Sequence, residues 1–570
     1  MPKRILRHLS VVALLASAGM PVAAEPASGP YLAARSAAVS GEYSAAARYY
    51  TQALAKDPSN PEILENASFS LLALGDVERA AIVASKLLAD GHSSQVAQMA
   101  VIAEKIAEEN YADVLARILE KQGVGPLVDG LLRAWAQVGI GEVTTALESF
   151  DAVGEEPGLK GFGLYHKALA LALVGDFEGA DAIFAMPEAG ALRQTRRGAI
   201  AHIEVLSQLG RNEDGLKTLN QSFGTDLDPK LQKMRESLTA GETLAFSQIS
   251  TAREGMSEVF YTVASALRNE ASEDYTLLYS RVAAYINAAH IDAILLSAGL
   301  LEQMGRFELA SATYKKVDRD DPAFHAAELG RAEALRKSGK ADAAIEVLEN
   351  LSQTHGDLPL VHSSLGDALR QLERFEDAIE AYDTALASFK EEVSGQWFIY
   401  YARGISYERL DVWEKSEADF RKALELNPEQ PQVLNYLGYS LVEKQIKLDE
   451  ALNMIERAVA ARPDSGYIVD SLGWVLFRLG RYEEAVGHME RATELMPIDP
   501  IVNDHLGDVY WSVGRFLEAE FQWKRALSFV DYGDASQEAD PERIRSKLDI
   551  GLDAVLENEG ADPLRMADDG

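Results

Sequence analysis

Apolar and small residues fall along this chain in paired helical stripes, and the pair returns about every 34 positions. In the C-terminal half a small residue marks each return: Ala310, Ala344, Ala378, Ser416, Ala451, Ala485 and Ala519. Five of these steps are 34 or 35 residues, and the step from Ala378 to Ser416 is 38. A glycine sits five residues before most anchors (Gly305, Gly339, Gly480 and Gly514 here; Gly41, Gly75, Gly141, Gly175 and Gly210 earlier), where a left-handed turn ends a helix. A small residue follows seven positions after the anchor, as in Ala385, Ala423, Ala458, Ala492 and Ala526. Twelve after it, Pro58, Pro322, Pro428, Pro463 or Pro497 stops a second helix. Each period therefore predicts two helices joined by a glycine turn. Gly366, Gly404, Gly438, Gly473 and Gly507 fall midway along the first helix. A mid-helix glycine costs roughly 1 kcal/mol against alanine, so its recurrence points to close helix–helix approach. Large residues fill the crossing: Leu365 with Tyr382, Leu437 with Ile455, Leu472 with Met489, Leu506 with Trp523.

This pattern resembles the tetratricopeptide repeat (TPR), a helix–turn–helix unit with small residues at these offsets. The resemblance implies an all-α, right-handed TPR solenoid. It is strongest over 291–530, with about seven repeats, and continues over 30–93 on Ala46 and Ala80. Over 94–220 a divergent lobe keeps Ala146, Ala180 and Gly215 in step around a poor repeat at Val114. The lattice breaks over 221–290, which reads as an irregular helical joint between two lobes, with two drifted repeats as the alternative. After 530 an acidic loop precedes Asp540-Pro541, a helix start, and an apolar stripe of Ile544, Leu548, Leu552 and Val555. This reads as a cap followed by a disordered acidic tail.

Composition narrows the class. Lys3, Arg4 and Arg7, the apolar run Leu9–Met20 and Val22-Ala23-Ala24 form a signal peptide for cleavage after Ala24. Without it the formal charge goes from −34 to −37, which disfavours nucleic acid as a partner. No later stretch is apolar enough to span a bilayer. The absence of cysteine removes disulfides, thiolate chemistry and lipid attachment at a cysteine. Ten scattered histidines form no H-E-x-x-H site, and no phosphate loop or nucleophile elbow is present. Two acidic turns, Asp318–Asp321 and Asp531–Glu542, have a composition that suits calcium, but neither follows an EF-hand loop. Repeats occupy nearly the whole chain, so no catalytic domain, cofactor or metal is expected.

In TPR solenoids the first helix of each repeat lines the inner face. Carrying those offsets over points to Phe398, Tyr401, Asn435, Tyr439, Tyr467, Asp470, Trp474, Phe477, Asp504, Asp508 and Trp511 as a partner-binding groove. Aromatics beside carboxylates suit a segment with apolar and basic side chains; packing between repeats is the alternative role for Trp474 and Trp511. Asn435-Tyr-Leu-Gly-Tyr-Ser440, Asp470-Ser-Leu-Gly-Trp-Val475 and Asn503-Asp-His-Leu-Gly-Asp508, followed by Gln522-Trp523-Lys524-Arg525-Ala526-Leu527, resemble exported bacterial TPR proteins. That group includes adaptors for carboxyl-terminal processing proteases. The resemblance covers roughly 395–530 and implies a non-catalytic periplasmic adaptor or scaffold for envelope proteins, possible partners including a processing protease or a cell-wall enzyme. A carbohydrate-binding or polysaccharide-export scaffold is the alternative. Oligomeric state is left open.

Overall fold

The computed structural model describes residues 28–189, 195–224, 227–530 and 539–561. The expected signal peptide, most of the 531–542 loop and most of the acidic tail lie outside the described residues. Among the described residues there are 31 α-helices and no strand, and no helix is long and apolar enough to cross a membrane. Within each unit most successive helices pack on one another in chain order.

The periodic residues form the core. Ala46, Ala80, Ala146, Ala180, Ala310, Ala378, Ser416, Ala451, Ala485 and Ala519 all have no exposed surface. The mid-helix glycines are there because a side chain would collide. A Cβ on Gly404 would lie 2.8 Å from the Phe420 ring, and one on Gly438 2.7 Å from Ile455. The turn glycines also follow expectation. Gly75 has φ +80 and ends helix Pro61–Leu74 with Gly75 N–H bonded to Leu72 O and Asp76 N–H to Leu71 O, the paired closure of a left-handed C-cap. Where the same turn lacks glycine the chain keeps the conformation: Glu109, Glu373 and Asp411 have φ of 57, 58 and 57.

The molecule divides into two compact units, Met1–Ala343 and Ala344–Gly570. The boundary therefore falls inside the array predicted over 291–530, and not at a joint over 221–290. That stretch belongs to the first unit. It contains helix Pro229–Thr239, an extended run, and a hairpin of helices Ala252–Leu267 and Glu273–Ile286. The hairpin packs against the first helices of four repeats, Pro61–Leu74, Gln95–Ala107, Pro126–Gly139 and Lys160–Leu173. It thus lies on the face a TPR array would otherwise leave open. Gly255 seats it against the Trp135 ring. Buried Arg281 donates from Nε to Ala73 O (3.1 Å) and from Nη1 to Thr313 Oγ1 (3.1 Å).

A polar cluster holds the same end of the hairpin through the first turns of helix Ala252–Leu267. Glu258, 1% exposed, accepts from Arg197, from Tyr165 Oη (2.9 Å) and from His290 Nε2 (3.1 Å). His290 Nδ1 accepts the Ala293 N–H as a helix cap, so the proton sits on Nε2. Burial works to raise the Glu258 carboxyl, but the Arg197 charge and the His290 bond outweigh it and hold the group well below the carboxylate range.

In the second unit each repeat packs on the next from helix Pro359–Gln371 to helix Phe516–Val530. The cap is two helices, Pro541–Ile550 and Leu552–Glu559, broken at Gly551 with φ +83. Asp540 caps the first by accepting the Glu542 N–H (2.9 Å). Ile544, Leu552 and Val555 are buried and Leu548 partly so, but across two helices and not on the single helical stripe expected, because the chain turns at Gly551.

Candidate partner-binding face

The candidate groove residues all lie on first helices of the second unit: Trp397–Arg409, Pro431–Glu443, Gly466–Arg478 and Pro500–Ser512. The structure divides them into two groups. Phe398 (36% exposed) and Tyr467 (57% exposed) stand in solvent, and Tyr401 and Tyr439 are half-buried beside them. Tyr439, Tyr467 and Asp470 border a cavity of about 180 Å³. Its other walls include Glu408, Arg409, Tyr436, Ile501 and His505.

Tyr401 also lies against Trp397, Phe420 and Tyr436, and the remaining candidates are more deeply covered. Asp470 is buried and its carboxylate pairs with His505 Nδ1 at 3.2 Å. Burial alone would lower the His505 imidazole; the Asp470 carboxylate overrides it, and the net direction is upward. Trp474 stacks on His505 with ring centroids 3.9 Å apart and on Phe477 at 4.9 Å, and donates Nε1–H to Glu443 (3.0 Å). Phe477 is 8% exposed. Asn435 is fully buried, and neither of its amide atoms has a hydrogen-bond partner.

Asp504, Asp508 and Trp511 are not an open surface. Lys547 of the cap is itself buried and places Nζ 2.9 Å from both Asp504 oxygens and 2.6 and 2.7 Å from those of Asp508. Asp508 also accepts the Trp523 Nε1–H (2.9 Å). Trp511 donates to Asp553 (2.8 Å) and lies against Phe516, Trp523 and the Gly551 turn. The end of the row thus serves the cap, because two buried carboxylates need a cation and the chain supplies one.

Two residues of this face escape a reading by offsets. His505 occupies no inner-face offset, and its link to Asp470 crosses 35 positions. Lys547 is three residues after Ile544 on the apolar stripe of the cap helix, and that placement is the signal that it points inward. The acidic turn at 318–321 closes on itself: Asp318 accepts the Asp320 N–H and Asp321 the Ala323 N–H. Such bonds are ordinary turn chemistry. Among the described residues no cluster of three or more His, Cys, Asp or Glu side chains is arranged to hold a metal ion.

Residues 39–101 match one tetratricopeptide repeat family, and residues 296–352, 363–399 and 443–500 match a second. A curated relative, the TPR repeat-containing protein PA4667 of Pseudomonas aeruginosa, is 27% identical over 159 residues, or 28% of this chain. The match spans 26% of that relative's length. Among solved structures, the APC/C hetero-tetramer Cut9-Hcn1 aligns over 93% of this chain and 96% of its own at 15% identity, with a TM-score of 0.38. A tetratricopeptide repeat protein from Parabacteroides merdae aligns over 45% of this chain and 97% of its own, at 17% identity and a TM-score of 0.36. The buried small-residue lattice, the helix pairs and the matched segments together show an all-helical, TPR-like repeat array among the described residues.

Proposed function

We propose that this protein is a non-catalytic adaptor of the bacterial cell envelope, and that it grips a partner protein on the inner face of its second unit. The observation that carries the reading is a cavity of about 180 Å³ bordered by Tyr439 and Tyr467, with the exposed Phe398 and half-buried Tyr401 on a first helix of the same unit. Exposed aromatics on a rigid helical face are efficient anchors, since they bury large area with little loss of side-chain freedom. Glu408 and Arg409 at the cavity rim add charge of both signs for choosing among partners. Export to the periplasm is supported by the basic, apolar and small-residue succession of the first 24 residues. A processing protease or cell-wall enzyme is the partner class we put forward, on the sequence resemblance over 395–530.

In-cell crosslinking of the full chain, with capture of the bound proteins, tests this directly. The control is Phe398→Ala with Tyr467→Ala, chosen because both side chains stand in solvent and their loss leaves the core intact. One dominant envelope enzyme, lost in the control, is the expected result. Capture that is unchanged in the control sinks the assignment of this face, and capture of glycan alone replaces the protein partner with a carbohydrate.

A further inference from the structure

The last repeat breaks a pattern that the repeats before it keep. Two positions before the small anchor, the preceding repeats of the second unit place an exposed acid: Glu376, Glu414, Asp449 and Glu483. The last repeat has Leu517 there, 83% exposed. Two positions after the anchor they place Glu380, Ala418, Asn453 and Gly487. The last repeat has Phe521, 61% exposed. Neither side chain is needed by the fold, since the same helix pair forms with a carboxylate or a small residue at these positions.

Leu517 and Phe521 lie one turn apart on helix Phe516–Val530 and share a side. A third apolar side chain joins them. Arg525, one turn further on, donates from Nη2 to Pro497 O (2.8 Å), which sets the next residue, Ile498, beside this helix. Ile498 is 71% exposed. The same link in an earlier repeat runs from Arg457 to Pro428 O (3.1 Å), and the residue after that proline is Glu429. Single exposed apolar residues are ordinary on a protein surface; a cluster of large ones marks a contact.

Charge indicates what covers it. A chain of net charge −34 repels its own copies over most of its surface. Helix Phe516–Val530 is neutral, because Lys524 and Arg525 balance Glu518 and Glu520. Helix Tyr482–Leu495 carries four acids and one arginine, and helix Phe375–Ala387 four acids and no base. A basic partner would gain more from those acidic helices; an acidic copy of the same chain needs the neutral one. The charges are also sorted, acids in the first half of the helix and bases in the second. An antiparallel copy therefore opposes acid to base at both ends of the apolar pair.

We propose that Leu517, Phe521 and Ile498 form the surface on which two copies of this chain pair, with their Phe516–Val530 helices antiparallel across a two-fold axis. Such a contact sets each patch against itself. Leu517 packs on Phe521 of the partner subunit, and Glu520 faces Lys524 of the partner subunit. The surface lies on a second helix, apart from the candidate partner-binding face on the first helices, and the inference stands without the adaptor role.

Sedimentation velocity of the purified full chain over a wide range of concentration tests this. The mass is expected to rise from that of one chain to that of two. Leu517→Glu with Phe521→Glu gives the last repeat residue types that earlier repeats carry, so it is expected to keep its helicity and melting temperature and to stay a single chain throughout. Lys524→Glu and Glu520→Lys are each expected to weaken pairing about tenfold, because each sets like charges opposite one another. Mixed together, these two variants are expected to pair with each other, since every contact again joins opposite charges. The proposal is overturned by a wild-type chain that stays single at every concentration, which passes the surface to another protein or to residues 562–570, or by dimers that survive Leu517→Glu with Phe521→Glu. Single charge variants that pair as wild type does, or a mixture that gains nothing over them, overturn the antiparallel contact. Should the double glutamate variant unfold, the charge variants decide alone.

Discussion

At the scale of single residues, two groups carry strain or charge whose effect is open to measurement. Glu258 sits in the first unit with its folded carboxyl held below the unfolded value of about 4.3. A depressed carboxyl contributes stability above the unfolded value and loses it as pH falls toward the folded one. Thermal melts of wild type are therefore expected to drop steeply as pH falls below about 4. Glu258→Gln should be less stable at neutral pH by about 3–5 kcal/mol, since it leaves Arg197 under-paired, and should show a flatter acid limb. An identical acid slope in both proteins contradicts the assignment. Asp411 marks a different strain. It holds φ 57 at the turn where other repeats use glycine, and the left-handed region costs an L-residue roughly 1–2 kcal/mol. Asp411→Gly is expected to raise stability by about 0.5–1 kcal/mol in chemical denaturation, the gain being reduced by the freedom glycine adds to the unfolded chain.

At the scale of helices, the two kinds of helical glycine make opposite predictions. Gly404 faces the fully buried Phe420 ring, which cannot retreat. Gly404→Ala should lower stability by about 1–3 kcal/mol through overpacking. Gly487, inside helix Tyr482–Leu495, has no atom within 4 Å of where a Cβ would stand. Gly487→Ala should raise stability by about 0.5–1 kcal/mol, the helix-propensity difference. Equal effects from the two changes contradict the packing account. The helix pairs and their turns were legible in advance because each depends on residues a few positions apart: an apolar stripe, a small crossing residue, a left-handed closure. The extended run over 242–248 was not. Its residues read as continued helix, and side chains of helix Arg196–Gln208 together with Asn212 take its backbone groups instead.

At the scale of the whole molecule, each unit carries its own core. One apolar cluster runs through the first unit from Tyr43 to Ala334, and another through the second from Phe420 to Leu552. Calorimetry is accordingly expected to resolve two unfolding transitions, as multi-domain chains do. Glu258→Gln should move one of them. Lys547→Ala should move the other by about 3–5 kcal/mol, because it strands the Asp504 and Asp508 carboxylates in the interior. A single transition displaced by both changes rules out independent units.

Periodic anchors, turn glycines, the apolar capping residues and the all-helical class were written into the sequence, since short-range sterics and 34-residue spacing suffice to specify them. The offsets also placed Phe398, Tyr401, Tyr439 and Tyr467 on first helices of successive repeats, where the structure has them. Which parts of the inner face stay open was decided by the tertiary structure alone. The hairpin 252–286 covers the first unit's face through contacts such as Arg281 to Ala73, 208 positions apart. Lys547 closes the end of the second unit's row from 43 positions away. Local pattern shows that a residue faces inward; only the path of the chain shows whether another part of the same chain already lies there.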